Sequence, residues 1–92
     1  MYIMASKHNT TIYVGVTSNL KKRVLQHKSK HHPHSFTARY NCSKLVYYNE
    51  FASITAAIRE EKRIKGGSRL KKEILINTFN PDWNDLSIDW YN

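Results

Sequence analysis

The 92-residue chain predicts an α+β fold, a small three-stranded antiparallel sheet flanked by helices. Two observations carry this. Segments that alternate apolar and polar residues give way to segments with helical periodicity, in the order ββα, then β, then αα. No repeat, low-complexity linker or composition break interrupts that order, so residues 1–92 are expected to form one domain.

Residues Tyr2 to Ala5 and Thr11 to Thr17 read as two strands. In the second, Ile12, Val14 and Val16 alternate with Thr11, Tyr13, Gly15 and Thr17. The polar link Ser6 to Thr10 makes a hairpin the economical connection. Thr17 or Ser18 is placed to cap a helix running to about Lys28, and Ser29 to Thr37, rich in His and Lys, reads as a basic loop. A third strand is expected at about Lys44 to Phe51. Ser53 then caps a helix from Ile54 to Lys65, which Gly66 and Gly67 stop, and Ser68 opens a last helix to about Asn80, ahead of Pro81. The tail from Asp82 to Asn92 carries both tryptophans.

Fifteen Lys and Arg against seven Asp and Glu give a formal charge of +8, a field that draws in polyanions and makes nucleic acid the leading partner. The plainer alternative is a basic protein whose lysines merely face water. Cys42 is the single cysteine, so no internal disulfide forms and a cytoplasmic setting is expected. Apolar runs such as Ile74-Leu75-Ile76 are far too short to cross a bilayer, and no signal-like segment opens the chain. No membrane partner is expected. One domain of this size must also share its core's edge with any active site.

On a helical wheel Leu20, Arg23, Val24 and His27 share one arc, so Arg23 and His27 border the packed face. Arg23 presents a fork suited to phosphate; equally, it is read as a snorkelling stem beside a hydrogen-bonded histidine. In the helix at 54–65, Ile54, Ala57, Ile58 and Ile64 form an apolar arc with Glu61 at its middle and Glu60 off its centre. A carboxylate so placed is costly unless a cation compensates it, which makes Glu61 a candidate metal ligand, with a Glu61–Lys65 ion pair as the alternative. Tyr13 and Gly15 share a sheet face, and a hairpin sets Tyr2 alongside. These phenols are either packing residues or part of a site over which the glycine clears space for a ligand. His31, His32 and His34 with Cys42 invite a zinc reading, but no second pair at ligand spacing accompanies them.

Taken in order, Tyr2-Ile3-Met4, Ile12-Tyr13-Val14-Gly15, Asn19-Leu20-Lys21-Lys22-Arg23 with His27, and Arg59-Glu60-Glu61 resemble the GIY-YIG nuclease superfamily. The strand KLVYYNEF and the tail NPDWNDLS are similar to those of its small stand-alone bacterial members. The resemblance implies a three-stranded antiparallel sheet flanked by helices and metal-dependent hydrolysis of DNA phosphodiester bonds with Mg²⁺ or Mn²⁺, in DNA repair or recombination. By it, Tyr2 and Tyr13 match the tyrosines of the two tripeptides, Arg23 the catalytic arginine, and His27 a tyrosine-or-histidine position. Glu61 then matches the metal ligand and Asn80 a later active-site asparagine. Tyr2, Tyr13, Arg23, His27 and Glu61 are accordingly expected on one sheet face in a solvent-open cleft. Met1 stands where the first tripeptide carries glycine, and Val16 where repair nucleases carry a lysine. The second departure leaves a non-catalytic nucleic-acid-binding module as the alternative function. A domain this small implies a protein partner for targeting; its oligomeric state is not legible.

Overall fold

The computed structural model describes residues 1–91; the expected tail's last residue, Asn92, lies outside them. Among the described residues seven elements follow one another: β1 (Tyr2–Ala5), β2 (Ile12–Gly15), α1 (Leu20–Lys28), α2 (Phe36–Arg39), β3 (Lys44–Tyr48), α3 (Ile54–Lys65) and α4 (Arg69–Phe79). The sheet has the order β2-β1-β3, with both neighbours antiparallel to β1. The expected α+β architecture is therefore the one found. No helix among the described residues is long and apolar enough to cross a membrane.

Both flanking strands are shorter than their alternation suggested, because β1 is only four residues long and sets the length of the ladder. Tyr2 pairs with Gly15 on one side and Tyr48 on the other, so pairing stops there. Helix α1 starts later than expected as well. Asn19, rather than Thr17 or Ser18, caps it, accepting the Lys22 amide at 3.1 Å, while Thr17 Oγ1 accepts the Asn19 amide. Ser53 and Ser68 cap α3 and α4 as the sequence indicated. The basic loop ends early in the single turn of α2, capped by Ser35 through the Ala38 amide.

Two cores lie on the two sheet faces. Ile3, Ala5, Val14, Val46 and Tyr47 pack with Ile64 of α3 and Ile76 of α4. Tyr2, Met4 and Leu45 pack on the other side with Val24 of α1, Cys42 and, from the tail, Leu86 and Trp90. An irregularity in β3 sorts these residues: Ile3 pairs with Tyr47 and Met4 with Leu45, leaving Val46 as an extra residue. Such a bulge shifts the alternation by one, so Val46 and Tyr47 face the same core and Tyr48 turns to the side of Tyr2.

The tail closes the open edge of β3. Asp85 Oδ1 accepts the Leu45 amide at 3.2 Å, and Leu45 O accepts the Leu86 amide at 2.8 Å. The bulged Val46 carbonyl accepts from Asn80 Nδ2 at 3.1 Å. An unpaired strand edge thus has its polar groups satisfied without a further strand. Asp85 also pairs with Lys28 at the end of α1, and Tyr91 donates to Lys21 O at 2.6 Å, which holds α1 against its sheet face.

Candidate active site

The hairpin register makes Tyr2 and Tyr13 diagonal neighbours on the α1 face of the sheet, ring centroids 6.3 Å apart. Gly15 lies opposite Tyr2. A Cβ at Gly15 would stand 2.6 Å from both Cζ and the hydroxyl oxygen of Tyr2 and 2.8 Å from Cε1 of Tyr13. The space that the glycine clears is therefore filled by tyrosine, not kept open for a ligand. Glycine is required there for room, since its backbone lies outside the left-handed region.

Helix α1 lays Leu20, Arg23, Val24 and His27 toward this face, as the wheel indicated, with Val24 and His27 buried and Arg23 half-buried. The His27 ring sits 5.6 Å from that of Tyr2 and 5.5 Å from that of Tyr13. Its Nε2 is 2.8 Å from the Tyr2 hydroxyl and its Nδ1 is 2.7 Å from Thr37 Oγ1, which in turn is 3.3 Å from Ser35 Oγ. A chain Tyr2–His27–Thr37–Ser35 results, with its first two links buried. Burial, with the Arg23 and His32 charges adding to it, lowers the His27 pKa to about 4, so the ring is neutral near pH 7. One ring nitrogen then donates and the other accepts. Burial and the neighbouring Tyr13 push the Tyr2 phenol up to about 12 against the opposing pull of Arg23. Arg23 itself hydrogen-bonds Gln26 through Nη1 at 3.1 Å.

Glu61 reaches the group indirectly. Ala57 and Ile64 on its stripe are buried while Ile54 and Ile58 stay 49% and 37% exposed, so the apolar arc of α3 is narrower than the sequence suggested. The Glu61 side chain is 15% exposed and pairs with Lys65 at 3.4 Å. Lys65 Nζ also stands 5.6 Å from the centroid of the Tyr13 ring. The Glu61 charge is felt at the Met1 amine, whose pKa burial lowers and Glu61 raises, which sets the carboxylate near the start of β1. Glu60, in contrast, pairs with Arg63 on the outer side.

Tyr2, Tyr13, Arg23 and His27 thus share the α1 side of the sheet, whereas Glu61 rides on α3, which packs against the opposite face, and reaches Tyr13 only through Lys65, so the five do not lie on one face as expected. Tyr2 and Tyr13 border different cavities rather than one cleft: about 350 Å³ beside Met1, Tyr2, Thr17 and Leu20, and about 320 Å³ beside Tyr13, Phe36, Lys65 and Lys72. Asn80 is not among them. Its Nδ2 bonds Val46 O and Asn84 O, and its Oδ1 accepts the Asn84 amide, so it serves the β3 edge. The exposed His31, His32 and His34 do not gather around Cys42, which is buried with its thiol toward Thr11 O. Among the described residues no three His, Cys, Asp or Glu side chains converge on one point. Sequence reading missed Thr37 and Ser35, whose contacts to His27 come from a loop with no periodicity to read. Only Ser35, a residue type that favours N-caps, hinted at a turn there.

Residues 1–73 match the GIY-YIG catalytic domain family. A UPF0213 protein of Natronomonas pharaonis is 36% identical over 66 residues, covering 72% of this chain and 76% of that protein. A UPF0213 protein of Syntrophus aciditrophicus is 33% identical over 72 residues, covering 78% and 82%. No solved structure matches. With a family match over residues 1–73 and relatives more than 30% identical over most of both chains, the chain belongs to the GIY-YIG catalytic domain family.

Proposed function

We propose that the domain hydrolyses DNA phosphodiester bonds with a divalent metal, Mg²⁺ or Mn²⁺, held at Glu61. The Tyr2–His27 hydrogen bond beside Tyr13 and Arg23 is the observation that carries the reading. A single carboxylate at the edge of a packed face fits an ion such as Mg²⁺, which binds through one or two carboxylates and keeps waters and phosphate oxygens as its other ligands. Bound there, the metal supplies Lewis-acid polarisation of the phosphoryl group.

The chain's own residues do the rest. Arg23 places a permanent cation where charge builds on the phosphoryl oxygens. Tyr2, with a pKa of about 12 and no exposed surface, is a poor base near neutral pH and serves to anchor His27. Half-exposed Tyr13 is the phenol that meets solvent and orients the attacking water. Lys65 over its ring provides the neighbouring cation that Val16 does not. Neutral His27 already accepts from one of its two buried hydroxyl partners, so a proton that it takes up during the reaction comes through Tyr2 or Thr37. Repair or recombination intermediates are the first substrates to try, with a protein partner directing the domain to them.

Incubation of single-stranded, duplex, branched and damaged DNA, and of RNA, with Mg²⁺ or Mn²⁺ tests the reading. Metal-dependent cleavage that stops with a chelator is expected. A non-catalytic nucleic-acid-binding module is the second reading, favoured by the full burial of Tyr2 and the existing Glu61–Lys65 pair. Binding without cleavage of any substrate would select it.

A further inference from the structure

Helix α2 has two faces with different duties. Thr37 and Ala38 turn inward, and Thr37 holds His27. Phe36 and Tyr40 turn outward, 46% and 48% exposed, with ring centroids 4.7 Å apart. Phe36 also stands 6.1 Å from Tyr13, so three rings run in a row from the sheet to the surface. Exposed aromatics scattered singly are ordinary on a soluble protein. A contiguous row is different when cations border it: Lys65 and Lys72 line the cavity shared by Tyr13 and Phe36, and Arg39 lies exposed on the same turn of α2.

We propose that Phe36 and Tyr40 form a stacking subsite for an unpaired nucleobase of a DNA strand whose phosphates run past Lys65 and Lys72. The inference rests on the nucleic-acid partner of the proposed function and adds to it a place for a base. Aromatic faces accept any base, whereas lysines alone see only phosphates, so rings and cations together suit a strand with its bases splayed out. A base inside a duplex, stacked on both sides, has no free face to offer. The charge of +8 supplies the complementary field. Because Thr37 and Phe36 are adjacent, a base seated on the subsite sits on the same helical turn that fixes His27.

Fluorescence anisotropy at fixed low salt, with a chelator to prevent cleavage, separates stacking from charge. The probes are a labelled oligodeoxythymidine strand, an abasic strand of equal length, and a blunt duplex. The wild-type protein is expected to bind the thymidine strand on the order of tenfold more tightly than the abasic one. The double variant Phe36→Leu, Tyr40→Leu keeps apolar surface at exposed positions; circular dichroism checks its fold. It should lose most of that preference while its duplex affinity stays unchanged. Equal binding of both strands by the wild type, no binding of either, or an undiminished preference in the double variant would overturn the subsite. Absence of cleavage by the wild type leaves these ratios intact, so failure of the nuclease reading is told apart from failure of this one.

Discussion

The Tyr2 hydroxyl and His27 Nε2 lie 2.8 Å apart inside the protein, joining the first strand to the first helix across 25 residues. The bond explains why β1 begins at a tyrosine with no exposed surface and why α1 carries a histidine on its buried edge. Burial without a partner would leave both polar groups unsatisfied, at about 1–3 kcal/mol each. Together, and with Thr37, they are satisfied.

His27 makes stability depend on pH. Its folded pKa lies near 4 against an ordinary 6.5, so between those values the unfolded chain binds the extra proton. Stability from neutral His27 is complete above about pH 6.5 and is lost as pH falls toward 4, by at most roughly 3 kcal/mol. Thermal unfolding from pH 7 to 4 should show this decline, flattened in His27→Gln. Parallel curves for the two proteins would mean that His27 is not the group responsible.

Thr37→Val keeps shape and removes the hydroxyl that meets His27 Nδ1. The imidazole then loses its second partner, and stability should drop by about 1–3 kcal/mol. If His27 takes a proton during cleavage, the pH profile of the cleavage rate should shift as well, which a purely structural contact would not produce. Thr37→Ser should restore the wild-type profile.

Glu61→Gln preserves shape and removes the charge proposed to hold the metal. Cleavage should fall by orders of magnitude while DNA binding persists, with Glu60→Gln, on the outward Arg63 pair, as the control. Were the Lys65 pair all that Glu61 does, the change would shift stability by only a few tenths of a kcal/mol. Equal cleavage by wild type and Glu61→Gln at saturating Mg²⁺ would rule out the metal-ligand assignment. Lys65→Met should instead tighten Mg²⁺ binding, since the ammonium and the metal compete for one carboxylate.

Gly15→Ala drives a methyl group into the buried Tyr2 ring end, at a starting separation of 2.6 Å. Overpacking of this kind costs about 1–3 kcal/mol, readable in urea unfolding. Unchanged stability would show that the hairpin has slack there.

Duplex binding should weaken steeply with salt. With ~4–6 phosphate contacts, the slope of log affinity against log salt is expected at about −4 to −5. A slope near zero would remove the electrostatic basis of DNA binding.

The sequence by itself determined the order of elements and which way many side chains face. Alternation in Ile12 to Gly15 set Tyr13 and Gly15 on one side, and the wheel of α1 set Arg23 and His27 beside Leu20 and Val24. Both follow from local periodicity, which reports a side chain's direction relative to its own element. The apolar stripe of α3 likewise marked Glu61, although it overstated how much of Ile54 and Ile58 is covered.

Only the tertiary structure decided what those side chains meet. Thr37 reaches His27 from a loop, Lys65 stands over Tyr13 from another element, and the Val46 bulge turns Tyr48 toward Tyr2 and gives Asn80 its carbonyl. Each depends on register and on how elements pack across long stretches of chain. A one-residue slip in a strand reverses every face, and no local period records it. For the same reason Gly15 looked like an opening in the sequence and is filled by Tyr2 in the fold.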